Sequence, residues 1–295
     1  MGSPMKYQLR HLTRYRYQHP VANSYNLACL EPRALAHQQV QNAWIEVQPL
    51  AQQVSRYVDG FGNIRHLLHV QAPHAELAVL SCAEVEVLPR NYPASFVDAT
   101  PITELARYLQ TPKDQQELFA LWCTQPSKMI PILPEAKRFI AQLQSSEQSA
   151  LALALRLNQF IFENFQYDPQ FSSVVTQVDE VLKHRRGVCQ DFAQLAISCL
   201  RSIGVPARYV SGYLQTLPPE GQARLMGADA SHAWFSVYDP IYGWVDFDPT
   251  NNLIVDTAHI TLAYGRDYSD VVPLKGVLQG GGEHELSVAV DVIPQ

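Results

Sequence analysis

The chain has 295 residues, 47% of them hydrophobic and 17% charged, with a formal net charge of -6 and a pI near 5.9. That balance argues against partnership with nucleic acid or an anionic membrane, and the length is enough to bury a sizeable core without disulfides or metals. No run approaches the ~18 apolar residues of a membrane span, and the charged, aromatic start MKYQLRHLTRYRY is no secretory signal.

The cysteines are Cys29, Cys82, Cys123, Cys189 and Cys199, odd in number, widely spaced and without a CxxC. A disulfide framework or a four-thiolate zinc site is therefore not expected, and a reducing cytoplasm is the expected location. The four residues before Met5 are set aside from the fold reasoning.

Residues 7–98 read as strands. Tyr7, Leu9, Thr13, Tyr15 and Tyr17 alternate with Arg10, Arg14 and Arg16, the period of a half-buried strand whose arginines form a solvated face. VSRYV, DGFGN and IRHLLHV form an expected hairpin, with Asp59-Gly60 and Gly62-Asn63 suited to the turn. ELAVLSCAEVEVLP alternates again. Several strands at short spacing predict an antiparallel sandwich-like region.

The pattern changes near residue 98. Thr100-Pro101 and Thr111-Pro112 read as helix starts, a cap residue followed by proline. A further helix follows Pro134, after a proline-rich connection. SALALALRLNQFIFENF is a strong helical pattern that stops at YDP. After Cys189, strands return in ARYVSGYL, HAWFSVYD and GWVDFD, and a closing HELSVAVDV alternates once more. The reading is an α+β chain: an antiparallel β-sandwich-like domain over 5–98, then helices followed by an antiparallel sheet over 99–295. The last strand is free to return to either part.

The chemistry centres on GVCQDF. Phe192, Leu195, Ala196, Cys199 and Ile203 recur at helical spacing, so Cys189 stands at a helix start and Cys199 on the buried face. Unpaired N–H groups at a helix start favour an anion, and the thiolate is the attacking form of cysteine. Gly187 is expected to let the chain turn sharply there, with Arg185 and Arg186 as electrostatic helpers or plain exposed charges. A nucleophile needs a base, and the base an orienting group. His232 heads the strand SHAWFSVYD and is the candidate base. Asp248 in GWVDFDPTN lies across the DPIYG turn, at the same end of the neighbouring strand. Asp246 shares its strand face, so spacing does not separate the two. A histidine bonded at a sheet end and an aspartate capping a turn are the ordinary alternatives. A zinc set of His232, His184 and Cys189 has no regular ligand spacing behind it.

At these residues the chain resembles the transglutaminase-like superfamily, which includes papain-related cysteine proteases. The matching stretches are DEVLKHRRGVCQDFAQLAISCLRSIGVPARYVSGYL, SHAWFSVY and GWVDFDPTNN. YRYQHPV, LEPR, DGFGNIRH and EVEVLPR resemble the β-rich N-terminal domain of bacterial members, and GRDYSDVVPLKGVLQGGGEHELSVAVDV their C-terminal end. The resemblance implies a papain-like, transglutaminase-core second domain, with Cys189 as nucleophile, His232 as base and Asp248, selected by the DPTN match, as orienter. It implies a cysteine-dependent peptidase or amidase acting on a peptide or protein through an acyl-thioester, without metal or cofactor. Amine transfer to protein glutamine, and an inactive peptide-binding module, are the alternatives. Tyr167, Gln190, Tyr213 and Trp234 are candidate cleft residues. No tryptophan precedes the cysteine where animal relatives carry their oxyanion donor, leaving Gln166, Tyr167 and Gln190 as candidates. Oligomeric state is not indicated.

Overall fold

The computed structural model describes residues 3–144, 149–216 and 231–295. Five strands come first: β1 Met5–Ala28, β2 Gln38–Gln48, β3 Gln53–Val58, β4 Ile64–Val70 and β5 His74–Val87. Helices α1 Ile102–Tyr108, α2 Gln115–Trp122, α3 Pro134–Leu143 and α4 Ala150–Asn164 follow. Next come the short β6 Gln166–Tyr167, α5 Val178–His184, the short β7 Arg186–Gly187 and α6 Cys189–Arg201. The chain ends in strands β8 Ala207–Leu214, β9 Ser231–Asp239, β10 Gly243–Asp248, β11 Leu253–Ile254, β12 His259–Gly265, β13 Leu274–Gly280 and β14 His284–Pro294. None of the described helices is long and apolar enough to cross a membrane.

The first five strands form one antiparallel sheet in the order β2-β5-β1-β4-β3. β1 runs through it as a single long strand whose two halves pair differently. Residues 7–16 are flanked by β5 and β14, and residues 24–28 by β4 and β13. The ladder to β5 shifts register between Arg16 and Val21, and this change of neighbours curls the sheet. The alternation read in the sequence is present in β1, with Tyr7, Leu9 and Thr13 buried and Arg10 exposed. Both closing strands, β13 and β14, add to β1, so the end of the chain returns to the first sheet.

The second sheet has the order β11-β10-β9-β8-β12 and is antiparallel throughout. Helices α4 and α6 pack against it and build the largest core, in which Leu153, Leu157, Ile161, Leu195, Cys199, Phe235 and Phe247 are all buried. The two sheets meet through Tyr213, Ile260 and Leu262, which join Tyr7, Leu9, Val85, Val290 and Val292 in one apolar cluster. Arg90, on the segment leaving β5, adds a buried ion pair to Asp246 of β10 at 2.7 Å.

Local chemistry explains most boundaries. Ser149 caps α4 by accepting from the Ala152 N–H at 3.1 Å. The start expected at Thr111-Pro112 lies instead at Asp114, whose carboxylate accepts from the Glu117 N–H at 2.8 Å. The stronger acceptor wins the N-cap and leaves the proline in the preceding loop. At the β3–β4 turn, Asp59 Oδ1 accepts from the N–H groups of Phe61 and Asn63, each at 2.9 Å, while Gly62 adopts a φ of 75°.

Candidate active site

Cys189 opens α6, as its place after GV implied. The approach is held by three features. Arg185 ends α5 with a φ of 53°. β6 and β7 then pair in parallel, Tyr167 opposite Gly187, with Asp168 N–H donating to the Gly187 carbonyl at 2.9 Å. Finally, Asp191 folds back from the first turn of α6 and accepts from the Val188 N–H at 2.8 Å and from the Ser172 hydroxyl. That fold-back explains Gly187. A Cβ there would lie 2.8 Å from Asp191 Cβ, so the glycine serves a close approach, not the sharp turn expected of it. The left-handed residue is Arg185.

Cys189 remains half-buried, whereas Cys29, Cys123 and Cys199 are sealed in the interior. Burial pushes the thiols of Cys29 and Cys123 up to about 11, and raises those of Cys82 and Cys199 as well.

His232 is the second residue of β9 and pairs with Gly212 of β8. Its Nε2 lies 2.8 Å from Asp248 Oδ2, and its side chain is 10% exposed. The Cys189 thiol also bears on the ring, and Asn251 Nδ2 stands 3.4 Å from Nε2. With Nε2 committed to the carboxylate, Nδ1 is the nitrogen left for sulfur. Burial works against the imidazolium, but the bonds to Asp248 and Cys189 outweigh it and raise the His232 pKa to about 10.

Asp248 does two jobs. Its Oδ1 accepts from the Thr250 and Asn251 N–H groups at 2.9 and 3.3 Å, the turn-capping role open to any aspartate before proline. Its Oδ2 accepts from His232, from His259 Nε2 at 3.0 Å and from Asn251 Nδ2 at 2.7 Å. Burial would raise its pKa, yet the two histidine bonds hold the carboxyl far below the usual range. Asp246, the rival on the same strand, is engaged elsewhere: Arg90 binds it, and its pKa is lowered because the Arg90 and Arg208 charges outweigh burial.

Several expected neighbours are not in the cleft. Trp234 is fully buried with Val210, Val255 and Tyr264. It lies over Gly212, where a Cβ would sit 2.4 Å from Trp234 Cη2. Tyr213 is also buried, its hydroxyl 2.9 Å from His11 Nδ1 between the two sheets. A strand in a sheet covered on both faces has no open side, so neither ring lines a surface groove. Arg186 pairs with Asp168 at 3.6 Å and Arg185 lies over the Phe165 ring, so both brace the loop. His184 sits on α5 beside Glu180 and Phe171, which separates it from the suggested zinc set. Tyr167 does stand at the site. It is 53% exposed, and its pKa is raised first by burial and then by the charges of Cys189 and Asp191. Gln190 spends its amide on the Val174 carbonyl at 3.3 Å.

The residue missed from sequence is His259. Its only signal was a lone histidine heading the apolar strand HITLAYG. The ligand atoms of His232, Asp248 and His259 lie within 4.8 Å of one another, a donor set that suits zinc. The contacts between the carboxylate and each imidazole, 2.8 and 3.0 Å, are nevertheless hydrogen-bond distances.

Residues 137–249 match the transglutaminase-like superfamily core, and residues 7–86 the bacterial transglutaminase-like N-terminal region. An uncharacterized Mycobacterium bovis protein is 38% identical over 98% of this chain and 93% of its own length. One from Mycobacterium leprae is 32% identical over 96% of both. A Pseudomonas aeruginosa protein-glutamine gamma-glutamyltransferase is 32% identical across 40% of this chain and 18% of its own. Among solved structures, a Cytophaga hutchinsonii protein provisionally described as a cysteine protease superimposes with a TM-score of 0.75 at 18% identity, covering 99% of this chain and 91% of that one. The chain therefore belongs to the transglutaminase-like superfamily, with the N-terminal region of its bacterial members.

Proposed function

We propose that the protein is a cysteine-dependent amide-bond hydrolase, a peptidase or amidase, with Cys189 as nucleophile, His232 as acid-base and Asp248 as orienter. One observation carries this reading. A single imidazole is bonded to a buried carboxylate 2.8 Å away and interacts with the partly buried thiol at the start of α6. In the first step the Cys189 thiolate attacks the amide carbonyl, and His232 protonates the departing amine. In the second, His232 takes a proton from water, which hydrolyses the thioester. The N–H groups of the first turn of α6 face the developing oxyanion, and Tyr167, whose hydroxyl has no partner among the described residues, is a nearby side-chain donor. The substrate class is a peptide or protein.

Transfer of the acyl group to an amine is the second reading. It uses the same three residues, and the Pseudomonas aeruginosa relative named for that reaction favours it. The test is alkylation with iodoacetate and peptide mapping. Cys189 reacts first, and His232→Ala slows it near neutral pH. A Cys189 no faster than the half-buried Cys82 rules the enzymatic reading out and leaves the inactive binding module. Incubation with a glutamine peptide and a labelled amine then separates hydrolysis from transfer.

A further inference from the structure

One oxygen, Asp248 Oδ2, is shared by two imidazoles. His232 reaches it from β9 and His259 from β12, although β8 lies between those strands. The approach is possible because β8 carries Gly212 at this level. The Trp234 ring fills the space a side chain would take and stands edge-on to His259, ring centres 5.3 Å apart. His259 is buried, its side chain 2% exposed, and its Nδ1 has no partner among the described residues. A ring with one nitrogen bonded and the other bare is a neutral imidazole carrying its proton on Nε2. A second proton would leave an unpaired N–H in an apolar wall.

We propose that His259 is a positioning residue for the Asp248–His232 pair: its Nε2–H holds the Asp248 carboxylate in place and offsets part of its charge. The inference rests on the proposed function. An N–H donated to a carboxylate stabilises the anion and so weakens its grip on a neighbouring proton. His259 thus limits how firmly Asp248 retains the His232 imidazolium. The ionisable groups bearing on this cluster are Asp248 from β10, His232 from β9, Cys189 from α6 and Arg90 from the segment after β5. Burial lowers the His259 pKa, in keeping with a ring that stays neutral.

The experiment follows the rate of Cys189 carboxymethylation by iodoacetate across pH. An anionic reagent is drawn by the imidazolium, so the rate falls as His232 loses its proton. His259→Phe keeps a ring against Trp234 but removes the donor, and His259→Gln restores an N–H. The falling limb moves upward in His259→Phe by about half a pH unit or more, a fraction of what a hydrogen bond to a charged group is worth. His259→Gln returns it towards wild type. An unmoved limb in His259→Phe, or an equal shift in both variants, overturns the proposal. If His259→Phe does not fold, nitrogen NMR of histidine-labelled wild type decides. An Nε2–H tautomer that does not titrate between neutral and mildly acidic pH supports the assignment, and a titrating His259 or an Nδ1–H tautomer overturns it. An unreactive wild-type Cys189 removes the proposed function together with this inference; a reactive one with an unmoved limb removes only the inference.

Discussion

Asp246 and Asp248 stand two residues apart on β10 and serve different partners: Asp246 binds Arg90 at 2.7 Å, while Asp248 binds His232 at 2.8 Å. The first ties the segment leaving the N-terminal sheet to the second sheet. In the proposed mechanism the second orients the imidazole at the cysteine. Both carboxylates are buried, so substitution separates stability from chemistry. In Asp248→Asn the imidazole loses its charged orienter, and kcat/KM drops by about a thousandfold or more, by analogy with other triads. In Asp246→Asn, Arg90, 3% exposed, keeps a buried charge without its counter-ion. Unfolding free energy there falls by about 3–5 kcal/mol, while Cys189 reactivity below the transition temperature is retained. Denaturant melts and alkylation rates on both variants check the contrast.

Acid should act on the same ion pair. The Asp246 pKa is lowered in the fold because the Arg90 and Arg208 charges outweigh burial. Its contribution is complete above the ordinary carboxylate pKa of about 4 and is lost as pH falls through the folded value. Wild type therefore loses stability on acidification, and Asp246→Asn loses less of it. Urea midpoints measured from neutral to acid pH give the two slopes.

Base acts on His232. Its pKa is raised to about 10, since the bonds to Asp248 and Cys189 outweigh burial. The imidazolium thus persists through neutral pH, and the rate of carboxymethylation by iodoacetate declines only as pH rises through about 10. The group's contribution to folding has the same sign: present in full below the ordinary value of about 6.5 and lost through the raised one. In Asp248→Asn the largest upward influence is gone, and the decline moves to lower pH. An unchanged decline in that variant would show that Asp248 does not hold the imidazolium.

Gly187→Ala tests the approach to α6. A Cβ there meets Asp191 Cβ at 2.8 Å, so either the loop or the Asp191 cap gives way. Displacing the cap costs about 1 kcal/mol of helix stability and shifts the Cys189 backbone. Carboxymethylation of Cys189 slows by at least about tenfold, since catalytic contacts tolerate little displacement. Gly60→Ala, where a Cβ meets nothing within 4 Å, leaves the rate unaltered and serves as control.

Dialysis against a chelator leaves the rate unchanged, because in the proposed mechanism the contacts within the His232, Asp248 and His259 cluster are N–H protons donated to the carboxylate. Added zinc slows the reaction by displacing those protons, and the chelator reverses it. Activity that disappears on chelation and returns with metal would contradict a metal-free thiol mechanism.

The one-dimensional signals reached quite far. The helix carrying Cys189 announced itself through the spacing of Phe192, Leu195, Ala196 and Cys199, and the turn at DPIYG set His232 and Asp248 on adjacent strands. These are local features: a period, a breaker and a short hairpin each act over a few residues, so neighbouring residues alone suffice to specify them. What depended on packing was the physical distinction between equivalent candidates. Spacing left Asp246 and Asp248 equal and the DPTN resemblance pointed to Asp248; what separates them in the fold is where Arg90 arrives from the other sheet. The burial of Trp234 and Tyr213 follows from surfaces supplied by β12 and by β1. His259 lies eleven positions beyond Asp248, on a strand whose place beside β8 no local pattern encodes. Such contacts are made by residues distant along the chain, and only the closing of the core brings them within bonding distance.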